Sequence, residues 1–269
     1  AYGLGNGLTL PFSVGATATL MAERPTPAAV AKRLLDHKAT IFYGVPTLYS
    51  LMLASDDLPP ADALSLRICA SAGEALPQEL GERRKARTGV EIMDGIGSTE
   101  MLHTFLSHRP GDLRYGTSGK PVPGYEAKIV GEDGQPVAPG EIGDLLVSGP
   151  SCAVLYWRKR EKSRETFQGR WTRTGDKYRL DDDGYWVYCG RSDDMLKVSG
   201  QYVSPFEVEA ALVSHPSVLE VAVVGAADAH RLVKPKAFVV LKPAYEPTPE
   251  LAEELRRHVR ARWHATVHR

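Results

Sequence analysis

The sequence predicts an α/β fold that carries an antiparallel β subdomain and ends in a small α+β domain. Three observations point there. Over residues 1–114, short apolar runs alternate with helix-period stretches, the texture of strand–turn–helix units and a mostly parallel, helix-covered sheet. Over residues 115–190, strands are separated by Asp-Gly and Asp-Asp-Gly turns, as in antiparallel hairpins. Residues 191–194, Arg-Ser-Asp-Asp, read as a hinge, and residues 195–269 as a separately capped small domain.

In order along the chain, Thr26-Pro27 supplies a helix cap with proline in the first turn, and Val30, Leu34 and Leu35 form that helix's apolar stripe. ATIFYGVP (39–46) is a short strand followed by a helix-like TLYSLMLA. LRICASAGE (66–74) repeats the unit, with a helix expected from Pro77 to about Arg87, and VEIMDGIGSTE begins a third strand. KIVGEDGQPV, EIGDLLVSG and RLDDDGYWVYCG supply the strands and turns of the β subdomain. Past Arg191, MLKVSG reads as a strand and Ser204-Pro205-Phe206-Glu207 as a capping box. VLEVAVVGA and KAFVVLK read as buried strands, and Thr248–Trp263 as a closing helix.

Composition narrows the function classes. Hydrophobic residues make up 43% and charged residues 25%, ordinary for a globular chain. Lys+Arg and Asp+Glu are both 33, so no global field exists to hold nucleic acid or an acidic membrane. No apolar run approaches the ~18 residues that span a bilayer. Cys69, Cys152 and Cys189 lie far apart, without metal-type spacing, and an odd number suits reduced thiols in a cytosol.

Four segments carry residues suited to chemistry. GIGSTE (95–100) follows a strand with small residues, a hydroxyl and a carboxylate, the parts of a phosphate and Mg²⁺ site. Taken locally, such a segment is usually just a Gly-rich turn before a helix. SAGEALP (71–77) reads as a strand–helix connection. RTGD (173–176) sets a carboxylate at a tight turn, where it can grip a ribose diol or simply face solvent. GRSDDMLKVSG (190–200) pairs an arginine with two aspartates at the domain boundary.

Together and in this order, these segments resemble the signature series of the adenylate-forming superfamily of acyl-CoA synthetases, peptide-synthetase adenylation domains and beetle luciferases. AYGLGN, YGVPTLY and DGIGSTEMLH are most similar to the benzoate-CoA ligase group. The resemblance implies ATP, Mg²⁺ and coenzyme A as cofactors or substrates, and an aromatic acid as the group activated. It implies that Gly73, Glu74, Ala75, Asp94 and Gly95 lie along the adenine. Thr99 would meet the α-phosphate, and Glu100 the metal. Asp176 would take the ribose hydroxyls, and Arg191 the ribose and phosphate. Asp193 would be the hinge, and Lys197, Gly200 and Tyr202 the thioester-forming face, with Lys197 placed among the catalytic residues beside Thr99 and Glu100. Ala1, Tyr2, Ile96, Gly97 and His103 would form the acid pocket. Ile96 stands where many members carry an aromatic, so stacking on the adenine is not expected.

The resemblance also implies a Ser/Thr/Gly-rich phosphate loop and a C-terminal lysine that this sequence does not contain, so it reads as an internal piece, inactive alone. ARWHATVHR departs from the Leu-Ala-Pro-Tyr-Lys-like run of the family, the pattern expected of a frame slip near residue 263. An adenylation domain that loads a carrier protein, and a non-catalytic nucleotide- or acid-binding fragment, stay open as alternatives. Expected partners are small molecules, with homodimerisation left open, in the cytoplasm.

Overall fold

The computed structural model describes residues 1–198, 201–227 and 233–267. The opening glycine-rich segment is helical: α1 (Tyr2–Leu4) runs into a π-helical turn (Gly5–Thr9) and then α2 (Leu10–Ser13). Next come α3 (Pro27–Asp36), β1 (Ile41–Gly44), α4 (Pro46–Ala54), β2 (Ile68–Ser71), α5 (Gln78–Thr88) and β3 (Ile92–Gly97). Thr26 caps α3 as its sequence requires, its hydroxyl accepting from Ala29 N at 3.3 Å.

β1, β2 and β3 are parallel neighbours. The sheet then changes character, because β4 (Thr104–Ser107) returns antiparallel to β3 and β5 (Lys120–Pro121) antiparallel to β4. A mixed sheet therefore replaces the mostly parallel one expected. GIGSTE leads into a tight turn and then a strand, with no helix directly after it. Ser98 Oγ accepts from Met101 N at 3.2 Å, Leu102 N bonds Thr99 O at 3.2 Å, and Leu102 takes a left-handed φ of 67°.

A second sheet holds β6 (Glu126–Val130), β7 (Gly143–Ser148), β9 (Trp171–Leu180) and β10 (Trp186–Arg191) in the order β10-β9-β7-β6. β8 (Phe167–Gln168) pairs with β9, and α6 (Arg160–Thr166) precedes it. Two apolar clusters fill this part of the chain, one around Tyr49, Met52, Cys69 and Ile92, the other around Phe105, Leu145, Val147 and Tyr178. The first also contains Arg84, wholly buried on α5 with its guanidinium 5.8 Å from the Tyr49 ring centroid and Nη2 3.8 Å from Cys69 Sγ.

The last part contains β11 (Leu196–Val198), β12 (Gln201–Val203), α7 (Pro205–Val213), β13 (Val218–Ala227), β14 (Val233–Leu241) and α8 (Pro249–Val267). Ser204 caps α7 by accepting from Glu207 N at 3.2 Å. β13 and β14 were expected to be buried, but the antiparallel pair buries only one face. Val221, Val223 and Val239 pack with Val208, Leu212 and Leu255, while Val224, Phe238 and Val240 are about half exposed. The chain forms two compact units: Ala1–Thr174 with Tyr178–Tyr188, and Gly175–Lys177 with the chain from Cys189 onward. Among the described residues, no helix is long and apolar enough to cross a membrane.

Candidate active site

β3 and the turn after it bring most of the candidate residues of the first unit into one stretch of chain. Asp94 ends the parallel part of the sheet, in register with Ser71 on β2. It is buried, accepts from Leu76 N through Oδ2 at 3.3 Å, and leaves Oδ1 without a partner. Burial pushes its carboxyl up to about 7, against the opposing pull of the Leu76 and Gly95 backbone N–H groups. Gly95 must be glycine here, because a Cβ would lie 2.8 Å from Leu106 O.

The adenine-loop candidates precede α5. Gly73 has φ +92°, a conformation in which a Cβ is strained. Glu74 is exposed and accepts from Thr47 Oγ1 at 3.1 Å, which ties the loop to α4, and Ala75 is half-buried.

In the turn after β3, Thr99 is exposed and Glu100 half-buried. Tyr156 Oη donates to Glu100 Oε1 at 2.6 Å. Burial raises the Glu100 carboxyl, but hydrogen bonds from Tyr156, its own backbone and Ser98, with Lys162 nearby, outweigh it and hold the group below its usual value. Glu100 is therefore an ionised carboxylate, held by Tyr156 and Ser98 and suited to a hard cation. Mg²⁺ is held through one or two carboxylates plus phosphate and water, so Glu100 fits it. Among the described residues no group of three or more metal-ligating side chains gathers.

The acid-pocket candidates Tyr2 and His103 meet, although 101 positions separate them. Their rings stack at 5.8 Å with an interplanar angle of 19°. Tyr2 Oη lies 3.3 Å from both Gly44 O and Ala70 O, at the ends of β1 and β2. His103 Nε2 lies 3.0 Å from Asn6 Oδ1. Burial holds the imidazole below its ordinary value, and burial, with Tyr43 and Asp94 nearby, drives the Tyr2 phenol well above its own. Both rings are neutral at neutral pH. Gly5 makes the room, since a Cβ there would fall 2.1 Å from His103 Cδ2, and one on Gly97 would fall 2.3 Å from His103 O. Ile96 is half-buried against the second apolar cluster, and Ala1 and Gly97 are exposed.

Sequence reasoning missed Asn6, which is 9% exposed and joined directly to His103. The available signal was its spacing, because Asn6 sits four positions after Tyr2 on a helical segment and so shares its side.

In the second unit, Asp176 is buried and accepts from Arg191 Nη1 at 3.0 Å, while Arg191 Nε lies 3.5 Å from the exposed Asp193. Lys197 and Tyr202 are partners in the β11–β12 ladder. Gly200 lies outside the described residues.

The motif series agrees with a comparison against known proteins. Residues 1–157 match the AMP-binding enzyme family, and residues 207–267 the AMP-binding enzyme C-terminal domain. The chain belongs to the AMP-binding enzyme family. Among curated AMP-binding relatives, it is 62% identical over 261 residues to a benzoate–CoA ligase of Thauera aromatica, covering 97% of this chain and 50% of that protein. It is 51% identical over 267 residues to a 4-hydroxybenzoate–CoA/benzoate–CoA ligase of Rhodopseudomonas palustris, covering 97% of this chain and 49% of that protein. A crystal structure of a benzoate CoA ligase from Burkholderia xenovorans LB400 superposes with a TM-score of 0.90 at 60% identity, over 97% of this chain and 52% of that one. The chain thus spans about half the length of these relatives.

Proposed function

We propose that the protein to which this chain belongs is an ATP-dependent aryl acid–CoA ligase of the benzoate type. A carboxylate oxygen of the acid attacks the α-phosphorus of ATP, pyrophosphate leaves, and an aryl-AMP forms. The CoA thiol then attacks the aryl carbonyl, loses its proton, and AMP departs with its electron pair. One observation carries the reading: acid-pocket and phosphate-turn candidates lie on one β3–β4 turn, so Ile96, Gly97 and His103 adjoin Thr99 and Glu100. An acid laid against His103 is thereby delivered next to a phosphate held at Thr99.

Tyr2 and His103 offer a flat, uncharged aromatic wall suited to an aryl ring. Thr99 binds the α-phosphate, and Gly73, Glu74, Ala75, Asp94 and Gly95 border the adenine. Mg²⁺ at Glu100 supplies charge neutralisation to the phosphates. Asp176, buried and acceptor-only, takes the ribose hydroxyls, and Arg191 the ribose and phosphate. Asp193 acts as the hinge, and Lys197, Gly200 and Tyr202 serve thioester formation.

The experiment is pyrophosphate exchange by the whole protein with benzoate, followed by release of AMP on adding CoA. Benzoate-dependent exchange and CoA-dependent AMP release are expected. Equal exchange with a fatty acid would overturn the aryl assignment, and release that needs a phosphopantetheinylated carrier would overturn the CoA assignment.

A further inference from the structure

The chain that leaves β7 returns over the turn after β3 and grips it at three points. Ser151 Oγ donates to Met101 O at 2.6 Å, Ala153 N donates to Glu100 O at 2.7 Å, and Tyr156 Oη donates to Glu100 Oε1 at 2.6 Å. The first two bonds hold the backbone of the turn, and the third holds its carboxylate. Tyr156 is also turned inward within a stretch that otherwise faces solvent: Val154, Leu155 and Trp157 are 86%, 55% and 80% exposed, whereas Tyr156 is half-buried. Tyr156 is braced in its turn by α6 and β8. Its N–H donates to Ser163 Oγ at 2.9 Å, while Ser163 Oγ donates to Lys159 O at 2.7 Å. The ring packs on Phe167 with centroids 5.2 Å apart, and Lys162 Nζ lies 5.3 Å from the ring centroid, over its face. α6 thus fixes the ring, and the ring's hydroxyl fixes the carboxylate.

We propose that Tyr156 is the positioning residue for the metal carboxylate: braced by α6, it holds Glu100 in one orientation before Mg²⁺ and nucleotide arrive. This rests on the ligase reading above for the presence of Mg²⁺ at Glu100, and for nothing else. A free glutamate loses rotamer freedom when it takes a cation, and a partner that orders it beforehand removes that cost from binding. A phenol suits the place because it donates one hydrogen bond and adds no positive charge, so the charge of the carboxylate stays available to the cation. Hydrogen-bonding partners behind a metal ligand are worth roughly 10–100-fold in metal affinity.

The test measures binding of α,β-methylene-ATP, which cannot release pyrophosphate, to the whole protein by isothermal titration calorimetry without any acid present. Affinity is taken once in Mg²⁺ and once in EDTA, and the ratio of the two is the Mg²⁺ gain. Tyr156→Phe keeps the ring and its packing and deletes only the hydroxyl. Its Mg²⁺ gain should fall about tenfold, with the affinity in EDTA within about twofold of wild type. Glu100→Gln should lose the gain, and Tyr156→Phe added to it should lose nothing further, because the hydroxyl acts through that carboxylate. A full Mg²⁺ gain in Tyr156→Phe beside a lost one in Glu100→Gln would overturn the positioning role and leave the ligase reading intact. Equal falls in Mg²⁺ and in EDTA, or losses that add in the double variant, would overturn it as well and leave Tyr156 a packing residue. A gain untouched by Glu100→Gln would overturn the metal assignment and this proposal with it. The expected pattern in a protein that activates no aryl acid would overturn the ligase reading alone.

Discussion

Arg191 Nη1 lies 3.0 Å from Asp176 Oδ1 across a glycine that permits the approach: a Cβ on Gly175 would stand 2.8 Å from Arg191 Nη2. Gly175 also has φ +80°, so both its backbone and its missing side chain serve this ion pair. The pair is asymmetric, with the carboxylate buried and the guanidinium half exposed, so Asp176 is the more enclosed member.

Asp176→Ala in the whole protein is therefore expected to weaken ATP binding. Two charge-assisted hydrogen bonds at ~1.5–3 kcal/mol each set the upper bound, reduced by water that replaces them, so KM for ATP should rise by about tenfold, well inside that bound. Steady-state kinetics with ATP varied at saturating acid measures it, and an unchanged KM would remove the ribose role.

Gly5→Ala tests the acid wall without touching a polar group. The added methyl would meet His103 Cδ2 at 2.1 Å, and the imidazole, pinned by Tyr2 and Asn6, cannot yield without leaving both. Overpacking of this kind costs about 1–3 kcal/mol. KM for benzoate should rise roughly tenfold or more while KM for ATP stays unchanged. Proportionate change in both would show the segment to be only a packing element.

Asp94 makes stability depend on pH. Its carboxyl is raised to about 7 in the fold, against ~3.9 in the unfolded chain. Between those values the native state keeps a proton that the unfolded state has lost, so stability falls as pH rises from about 4 to about 7 and levels off above. The shift corresponds to a loss on the order of 4 kcal/mol. Asp94→Asn retains an acceptor for Leu76 N and should flatten the pH profile of Tm, with the variant more stable than wild type near pH 8. Parallel profiles for the two proteins would show that Asp94 is ionised in the fold at low pH.

Asp193→Pro addresses the proposed hinge. Proline fixes φ near −65° and removes one N–H, at an exposed residue beside Arg191. A rotation about this position would be blocked while the binding residues stay in place. Aryl-AMP formation should be largely retained and thioester formation cut by orders of magnitude, with aryl-AMP accumulating on the enzyme. Loss of neither half-reaction would mean that Asp193 is not a hinge.

The order of elements was legible in the sequence because it rests on local chemistry. Thr26-Pro27 and Ser204-Pro205 cap helices wherever they occur, and the apolar periods mark β1, β2, β3 and α4 without help from the rest of the chain. Thr99, Glu100, Asp176 and Arg191 were singled out in the sequence by the order of the motifs that contain them. Tertiary structure decided what depends on partners distant in sequence. Whether the turn at Ser98–Leu102 led to a helix or a strand depended on β5 and the second apolar cluster receiving β4. Arg84 lies in a polar run, GERRKAR, yet is buried, because the α5 face that meets the sheet was set by Leu80 and Thr88 and not by charge. The union of Tyr2, Asn6 and His103 is the same case at the site. Each is unremarkable locally, and only the sheet, which brings the end of β3 beneath the opening helix, gives the imidazole a stacking partner and a hydrogen-bond partner.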